Sequence, residues 1–280
     1  MSDLNKKISV RKISNSPSIR TEDYVAIEEP LEIQICSPKK DLSAAKSLSI
    51  TMRTPGNDHE LALGFLCSES IISSHKDIDS IASIGETQNK DGLQNIVRVT
   101  LNQSVDFDPS DLERHFYTTS SCGVCGKTSI EAIRAKGIKV NLSKFSIKKE
   151  KIIDLPKNLK KQQESFLKTG GLHAAGIFNS DGEILLARED VGRHNAVDKV
   201  IGAMAINNDL PGKNRGLIVS GRTSFELMQK TIVAGIPIIV AISAPSSLAI
   251  SLAEEYDITL IGFLRGENFN IYSGSQRVSC

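Results

Sequence analysis

Alternation of apolar and polar positions marks the first third of the chain. Residues 24–36 alternate on both sides of Pro30, placing Leu31, Ile33 and Ile35 on one face, and residues 47–54 alternate again. A period of two is that of a half-buried strand, so two strands able to pair in one sheet are predicted. Pro55-Gly56-Asn57-Asp58 then breaks the pattern. Asn57 or Asp58 is placed to cap a helix whose apolar positions Leu61, Phe65, Leu66 and, further out, Ile72 recur near helical spacing. Residues 97–101 read as a further strand. Residues 1–20 are polar, carry no period and are expected to be frayed or to run along an edge.

The second half has a different rhythm. Pro156 suits a first helical turn, and Leu159, Gln163, Phe166 and Leu167 place a stripe on a helix closed by Gly170-Gly171. Residues 172–178 and 183–187 flank Asn179-Ser180-Asp181-Gly182, a hairpin signal because Asn, Asp and Gly accept the positive φ of tight turns. A helix follows through Ala196, Val197, Val200, Ile201 and Met204, then a strand at 216–220. Thr223, with Glu226 three residues on, has the form of a capping box for the next helix, which Gly235 closes. The β-branched run 236–242 reads as a strand buried on both faces. A helix capped by Ser246 or Ser247 runs through Leu248, Ile250, Leu252 and Ala253, and 258–263 is another strand. Strands alternating with helices imply parallel pairing. The expected class is therefore α/β, with an N-terminal mainly β domain and one helix over 1–120, a cysteine loop and basic linker over 121–155, and a C-terminal three-layer α/β domain over 156–280.

Composition narrows the setting without choosing the chemistry. The chain has 280 residues, 40% hydrophobic and 24% charged, which suits a globular protein with a sizeable core. A formal net charge of +1 argues against whole-protein attraction to nucleic acid. No stretch reaches the roughly 20 apolar residues of a membrane span, so a membrane role is not expected. The cysteines are odd in number (Cys36, Cys67, Cys122, Cys125, Cys280), and no apolar run of signal-peptide type follows Met1. The expected compartment is a reducing cytoplasm with free thiols. Residues 136–168 hold ten lysines against Glu150, Asp154 and Glu164. That span reads as a solvated surface and linker, the alternative being a docking surface for an acidic partner.

Candidate chemistry begins with Ser121-Cys122-Gly123-Val124-Cys125-Gly126, two thiols three residues apart beside Lys127. A nearby lysine or helix N-terminus lowers a thiol's pKa and makes it a thiolate able to attack or to ligate. The pair reads as half a zinc site, a redox dithiol, a sulfur relay or two structural cysteines. Zinc needs four ligands, and neither a second C-x-x-C nor a His-x-x-x-His completes a set, so no permanent metal is expected. Cys36 and Cys67 fall in apolar settings and are expected in the core; Cys280 has no evident role.

A second site is expected where the C-terminal strands end. In open α/β sheets, ligands bind outside the carboxyl ends of the strands, where helix N-termini offer N–H groups to anions. The residues there are Ser220-Gly221-Arg222-Thr223-Ser224, Ser243-Ala244-Pro245-Ser246-Ser247 and Arg265-Gly266-Glu267-Asn268. Small residues let phosphate approach the backbone, and Arg222 and Arg265 can clamp it. Turns and caps are the plain alternative. Residues 189–195 pack Glu189, Asp190, Arg193, His194 and Asn195 at a strand-to-helix junction; Asp190 capping the helix and pairing with Arg193 is one account, a ligand pocket at Arg193 and His194 the other. His173 is expected to be a satisfied strand histidine.

Several stretches together resemble the formate dehydrogenase accessory sulfurtransferase family, FdhD. They are Met52-Arg-Thr-Pro-Gly-Asn-Asp58 with Glu60-Leu-Ala-Leu-Gly-Phe-Leu66, the Ser-Ser-Cys-Gly-Val-Cys-Gly loop, Thr169-Gly-Gly-Leu-His-Ala-Ala175, the run from Ala187 to Lys199, Ser220-Gly-Arg-Thr-Ser-Phe-Glu226 and Gly262-Phe-Leu-Arg-Gly266. The resemblance implies a sulfurtransferase that takes sulfur from a cysteine desulfurase as a persulfide. It passes that sulfur to the molybdenum bis(molybdopterin guanine dinucleotide) cofactor, a bound substrate, before insertion into formate dehydrogenase. Cys122 would carry the persulfide and Cys125 would assist transfer or resolution. The cofactor contact would fall on Phe263, Leu264, Arg265, Gly266, Glu267 and Asn268, in agreement with the strand-end site that includes Ser220, Gly221 and Arg222. A homodimer is the expected assembly. The family is similar in fold to cytidine deaminases, which the order of elements after Pro156 suits. Deaminase chemistry is excluded, since His194-Asn195-Ala196 lacks the glutamate and no cysteine stands at 220–223. A cofactor-binding chaperone without sulfur transfer and a zinc-binding module are the alternative functions.

Overall fold

The computed structural model describes residues 5–15, 18–37, 42–85, 94–105, 107, 138 and 143–279. Contrary to expectation, the polar start of the chain is ordered into a ribbon, β1 (Asn5–Lys12) antiparallel to β2 (Ile19–Ala26), with Asn5 opposite Ala26 and Lys12 opposite Ile19. A two-stranded ribbon has no buried face, so it leaves no alternation to read; cross-strand pairs such as Lys7–Glu22 at 2.5 Å support it instead. The alternating segments that follow are β3 (Glu29–Ser37) and β4 (Leu42–Arg53), which pair as predicted, here antiparallel, while residues 24–26 of the first predicted strand belong to β2. Pro30 lies one residue into β3, before the ladder to the other neighbour starts at Glu32, where its missing N–H costs nothing.

Helix α1 (Asp58–Ser68) starts at Asn57, but neither expected cap operates. Asn57 sits at φ 58 without a side-chain cap bond, and the Asp58 carboxylate is held instead by the fully buried Arg53, at 3.0 and 2.9 Å. Strand β5 (Ile78–Ile84) was not expected; a register shift near Ile78 and Ser80 breaks the period of two. Strand β6 (Ile96–Leu101) completes a four-stranded sheet in the order β4-β3-β6-β5.

After the short β7 (Ile147–Lys148), helix α2 (Lys149–Lys160) begins a full two turns before Pro156, which lies inside it and not in its first turn. Ile152, Leu155 and Leu159 are buried while the lysines face outward, so this part of the basic span is one face of an amphipathic helix. The expected stripe is split, because Phe166 and Leu167 belong to a separate α3 (Glu164–Thr169) and Leu167 is exposed. Gly170, at φ 66, ends α3.

The remainder is β8 (His173–Phe178), β9 (Ile184–Asp190), α4 (Arg193–Ile206), β10 (Gly216–Val219), α5 (Phe225–Val233), β11 (Ile238–Ala241), α6 (Ser247–Glu255), β12 (Thr259–Arg265), β13 (Asn268–Ser273) and β14 (Val278–Ser279). The six-stranded sheet runs β13-β12-β11-β10-β8-β9. Only β10, β11 and β12 are parallel; the 179–182 hairpin reverses β8 against β10, and β13 folds back on β12. Residues 265–268 thus form a hairpin turn, to a strand β13 that was not expected. Ser246 caps α6 through Ala249 N as predicted, whereas α5 starts at Ser224 with no side-chain cap bond, so the 223–226 capping box does not form.

Alternate residues of the central strands serve different layers. Leu217, Val219, Ile239 and Ala241 pack under α4, α5 and α6, while Ile218, Ile238 and Val240 pack with Ile152, Leu155 and Leu159 of α2. The first of these cores continues through α1 into Leu31, Ile33, Val97 and Val99 of the four-stranded sheet. Two glycines permit the continuity. A Cβ on Gly64 of α1 would stand 1.7 Å from the Asp198 carbonyl oxygen, and one on Gly202 of α4 would stand 1.8 Å from that of Glu60, so the two backbones touch. Around this crossing, Asp198 accepts from Lys230 at 2.7 and 2.9 Å and from Ser68 at 2.9 Å, which satisfies a buried charge. Among the described residues, no helix is long and apolar enough to cross a membrane.

Candidate functional site

The C-terminal ends of β10, β11 and β12, together with the start of the reversed β8, form one rim. Ser220 N donates to Ala174 O at 3.0 Å, and the Ser220 hydroxyl accepts from Ala174 N at 3.0 Å. Next along the rim, Thr223 N donates to Ala244 O at 3.2 Å and Ser246 N to Thr223 O at 2.9 Å, which continues the sheet as an isolated bridge between Thr223 and Pro245. Phe263 N then donates to Ser243 O at 3.1 Å. The three turns singled out in the sequence therefore lie in register, with Gly221 buried and Arg222 exposed.

At the β12 end the backbone is strained. Phe263 is not glycine yet has φ 53, inside a register shift between Gly262 and Arg265. The shift turns its ring outward, 40% exposed, while Leu264 stays at 1%. The Arg265 guanidinium carbon lies 5.9 Å from the ring centroid, within cation–π range. Gly266, at φ 57, and Glu267 form the exposed two-residue turn to Asn268. An exposed ring flanked by a guanidinium offers a stacking face to a planar heteroaromatic group.

At the β8 end sits a titratable cluster. His173 Nδ1 is 3.5 Å from the Ser220 hydroxyl, and a Cβ on Gly221 would lie 3.4 Å from that nitrogen and 3.4 Å from Arg193 Cδ. Burial, and then the charges of Arg193 and His194, hold the His173 pKa below its ordinary value. His194 Nε2 lies 2.7 Å from a Glu226 carboxylate oxygen and 3.4 Å from the Ser224 hydroxyl. That hydrogen bond, against the opposing effect of burial, keeps the Glu226 pKa below the usual carboxylate value.

Asp190 does not pair with Arg193. It is fully buried, lies 2.7 Å from Lys199 Nζ, and accepts from Gly192 N, Asn195 Nδ2 and Thr54 N at 2.8, 3.0 and 3.2 Å. Thr54 returns two further contacts, its hydroxyl accepting from Val191 N at 3.1 Å and its carbonyl from Lys199 at 2.8 Å. Arg188 adds a bidentate pair to Glu60 at 2.5 and 2.7 Å. The start of α4 is thus fastened to the end of β4. Glu189 faces away from the rim and accepts from Ser165 N and Phe166 N at 2.9 and 2.7 Å, at the α3 N-terminus.

Of the residues expected to act, Ser220, Gly221, Arg222, Phe263, Leu264, Arg265, Gly266, Glu267 and Asn268 are on this rim or its tip, though Leu264 points into the core. Cys122 and Cys125 lie outside the described residues. Cys67 is buried as expected, and burial, then Asp198 and Asp77, push its thiol up to about 12; Cys36 is only partly buried. Among the described residues no group of three His, Cys, Asp or Glu side chains is arranged to hold a metal ion. His173 was read as an ordinary strand histidine, yet the hairpin at 179–182 carries the clue, because reversing β8 brings its first residue to the C-terminal ends of the others.

Fold and rim define an α/β protein whose mixed sheet carries small-residue turns, basic side chains and one outward ring along a single edge. The model of the FdhD/NarQ family matches residues 26–279, and the chain belongs to that family. It is 44% identical over 282 residues to the sulfur carrier protein FdhD of Streptomyces coelicolor, covering 100% of this chain and 97% of the relative. It is 41% identical over 273 residues to the protein of that name from Saccharolobus solfataricus, covering 98% of each. A crystal structure from Desulfotalea psychrophila, of a protein provisionally named a formate dehydrogenase accessory protein, superimposes with a TM-score of 0.74 at 23% identity over 99% of this chain and 100% of that one, a likeness of fold.

Proposed function

We propose that this protein is a sulfur carrier in formate dehydrogenase maturation, working as a persulfide sulfurtransferase. The observation that carries the reading is end-to-end similarity to proteins named sulfur carriers, in a chain with two cysteines three residues apart. The Cys122 thiolate attacks the terminal sulfur of a persulfide on a cysteine desulfurase; that S–S bond breaks, the donor cysteine leaves as thiolate, and Cys122–S–SH forms without net redox change. The Cys125 thiolate then attacks the Cys122 sulfur, releasing HS⁻ and leaving a Cys122–Cys125 disulfide.

The acceptor in this reading is the molybdenum bis(molybdopterin guanine dinucleotide) cofactor, a substrate held on the rim. Support comes from the outward Phe263 ring, suited to a purine, and from the exposed side chains of Arg222 and Arg265 in small-residue turns, where guanidinium is open to phosphate. The cytoplasm is the compartment and a homodimer the assembly. Mass spectrometry after incubation with desulfurase and cysteine should add about 32 Da, one sulfur, to the peptide containing Cys122. No addition, or an equal addition to that peptide in Cys122→Ala, overturns the carrier role.

A further inference from the structure

The lysines that follow residue 143 gather on one surface. Helix α2 turns Ile152, Leu155 and Leu159 onto the sheet, and Lys148, Lys149, Lys151, Lys157, Lys160 and Lys161 stand exposed around its other side. Among the described residues none of the six enters an ion pair; Lys161 reaches the side-chain amide of Asn158 at 3.5 Å. The two acids of the helix, Glu150 and Asp154, are exposed as well and pair with none of them. Ten lysines and three acids make residues 136–168 +7, so the rest of a chain totalling +1 sums to −6. Nothing inside the chain gains from this arrangement. Like charges on one helix repel, and Lys149 and Lys151 stand at the positive end of its dipole, where cations are unfavourable.

The face also has a definite place. Strand β8 begins at the rim and ends at Phe178, so the 179–182 hairpin marks the opposite end of the sheet. Helix α2 is fastened there: Asn158 donates to Gly182 O at 3.1 Å, and a Cβ on Gly182 would stand 3.1 Å from Lys151 Cβ. Ser143, ahead of the helix, donates to Lys213 O, just before β10 starts. The lysines therefore lie on the side of the sheet away from α4, α5 and α6, and towards the end away from the rim.

We infer that this face docks an acidic surface of the protein that donates the sulfur, the cysteine desulfurase of the reading above, on which the inference rests. A carrier must meet its donor and leave it again for every sulfur moved, and attraction between opposite charges speeds encounter more than it prolongs the complex. A donor docked on α2 leaves the rim uncovered, whereas an enzyme that takes the cofactor has to approach the rim itself. The make-up of the face favours a protein over other polyanions. Its cations are lysines, without arginine for bidentate phosphate contacts or an aromatic ring to stack on a base, and Glu150 and Asp154 among them repel a phosphate backbone. Nor does it expose a large hydrophobic side chain to enter a lipid surface.

The test compares initial rates of persulfide formation on the full chain with desulfurase and cysteine, and with glutathione persulfide, a donor too small to need a docking face. The variants are Lys157→Glu/Lys160→Glu/Lys161→Glu and a control with the same charge change at exposed positions elsewhere, Lys6→Glu/Lys12→Glu/Lys76→Glu. Expected is desulfurase-driven loading slowed about tenfold or more at low salt in the α2 variant alone, a wild-type rate that falls as salt is added, and equal loading of all three by glutathione persulfide. Undiminished desulfurase-driven loading of the α2 variant overturns the docking face, and an equal loss in the control overturns it too, by making the effect one of net charge. If the α2 variant folds poorly and loses loading by both donors, Lys149→Gln/Lys151→Gln decides, since it relieves the helix dipole: slower loading by the desulfurase alone upholds the face, and an unchanged rate overturns it. Normal loading with lost binding to a single-stranded oligonucleotide or to phosphatidylserine vesicles overturns it in favour of nucleic acid or membrane. A wild type that neither donor loads is instead the failure of the carrier reading, and the docking face falls with it.

Discussion

Burial decides the prospects of one cysteine as a nucleophile. Cys67 is enclosed by α1 beside Asp198 and Asp77, and its thiol is pushed up to about 12, so it stays protonated across the physiological range. Only the thiolate reacts. In the native protein at pH 8, iodoacetamide should leave Cys67 unmodified over a time in which it alkylates Cys67 fully in denaturant; native alkylation at an equal rate would contradict the burial described. Persulfide mapping on Cys122 is then free of competition from this thiol. Single residues also mark what the sequence could convey. The outward aim of Phe263 depends on a positive φ within a bulge, which no local pattern specifies for a phenylalanine, and the pairing of Asp190 with Lys199 rather than Arg193 depends on β4 approaching from far away in sequence.

At the scale of elements, strands with one buried face were legible and those without one were not. The pair β3 and β4 and the helices α1, α4, α5 and α6 follow from their apolar period, helped by the expected cap at α6, because a continuous apolar stripe had to meet the core. The ribbon β1-β2 and the edge strand β13 bury little, and β5 is interrupted by its register shift, so none carries a stripe to read. The rim turns were legible as small-residue runs after strands, but their order along the sheet was not, since it needs the topology. The α1–α4 crossing is equally non-local and gives a sharp test. Gly202→Ala puts a methyl 1.8 Å from the Glu60 carbonyl oxygen, so the helices must separate. Overpacking of this kind costs about 1–3 kcal/mol or more, read as a lowered urea midpoint. An unchanged midpoint would mean that the helices do not meet as described.

For the whole molecule, titratable groups on and behind the rim couple folding to pH. His173 has a native pKa below its ordinary 6.5, so on acidification the unfolded chain takes up a proton that the native state resists, and stability is lost as pH falls below 6.5. Glu226, lowered from 4.5, contributes stability above that value which disappears as pH falls through its native pKa. Glu189, raised from 4.5 chiefly by burial, acts in the opposite sense as pH falls towards 4.5. His173 thus acts first, and urea unfolding between pH 7 and 5.5 should show a fall in stability that is shallower in His173→Gln. Equal slopes would assign the loss to other groups. Thr54, bonded through its amide, carbonyl and hydroxyl to Asp190, Lys199 and Val191, makes the small sheet a gauge for the rim. A substitution that shifts β4 by a fraction of an ångström resets the start of α4 and its two cations, so the electrostatics of the rim can be tuned from a sheet that never reaches it.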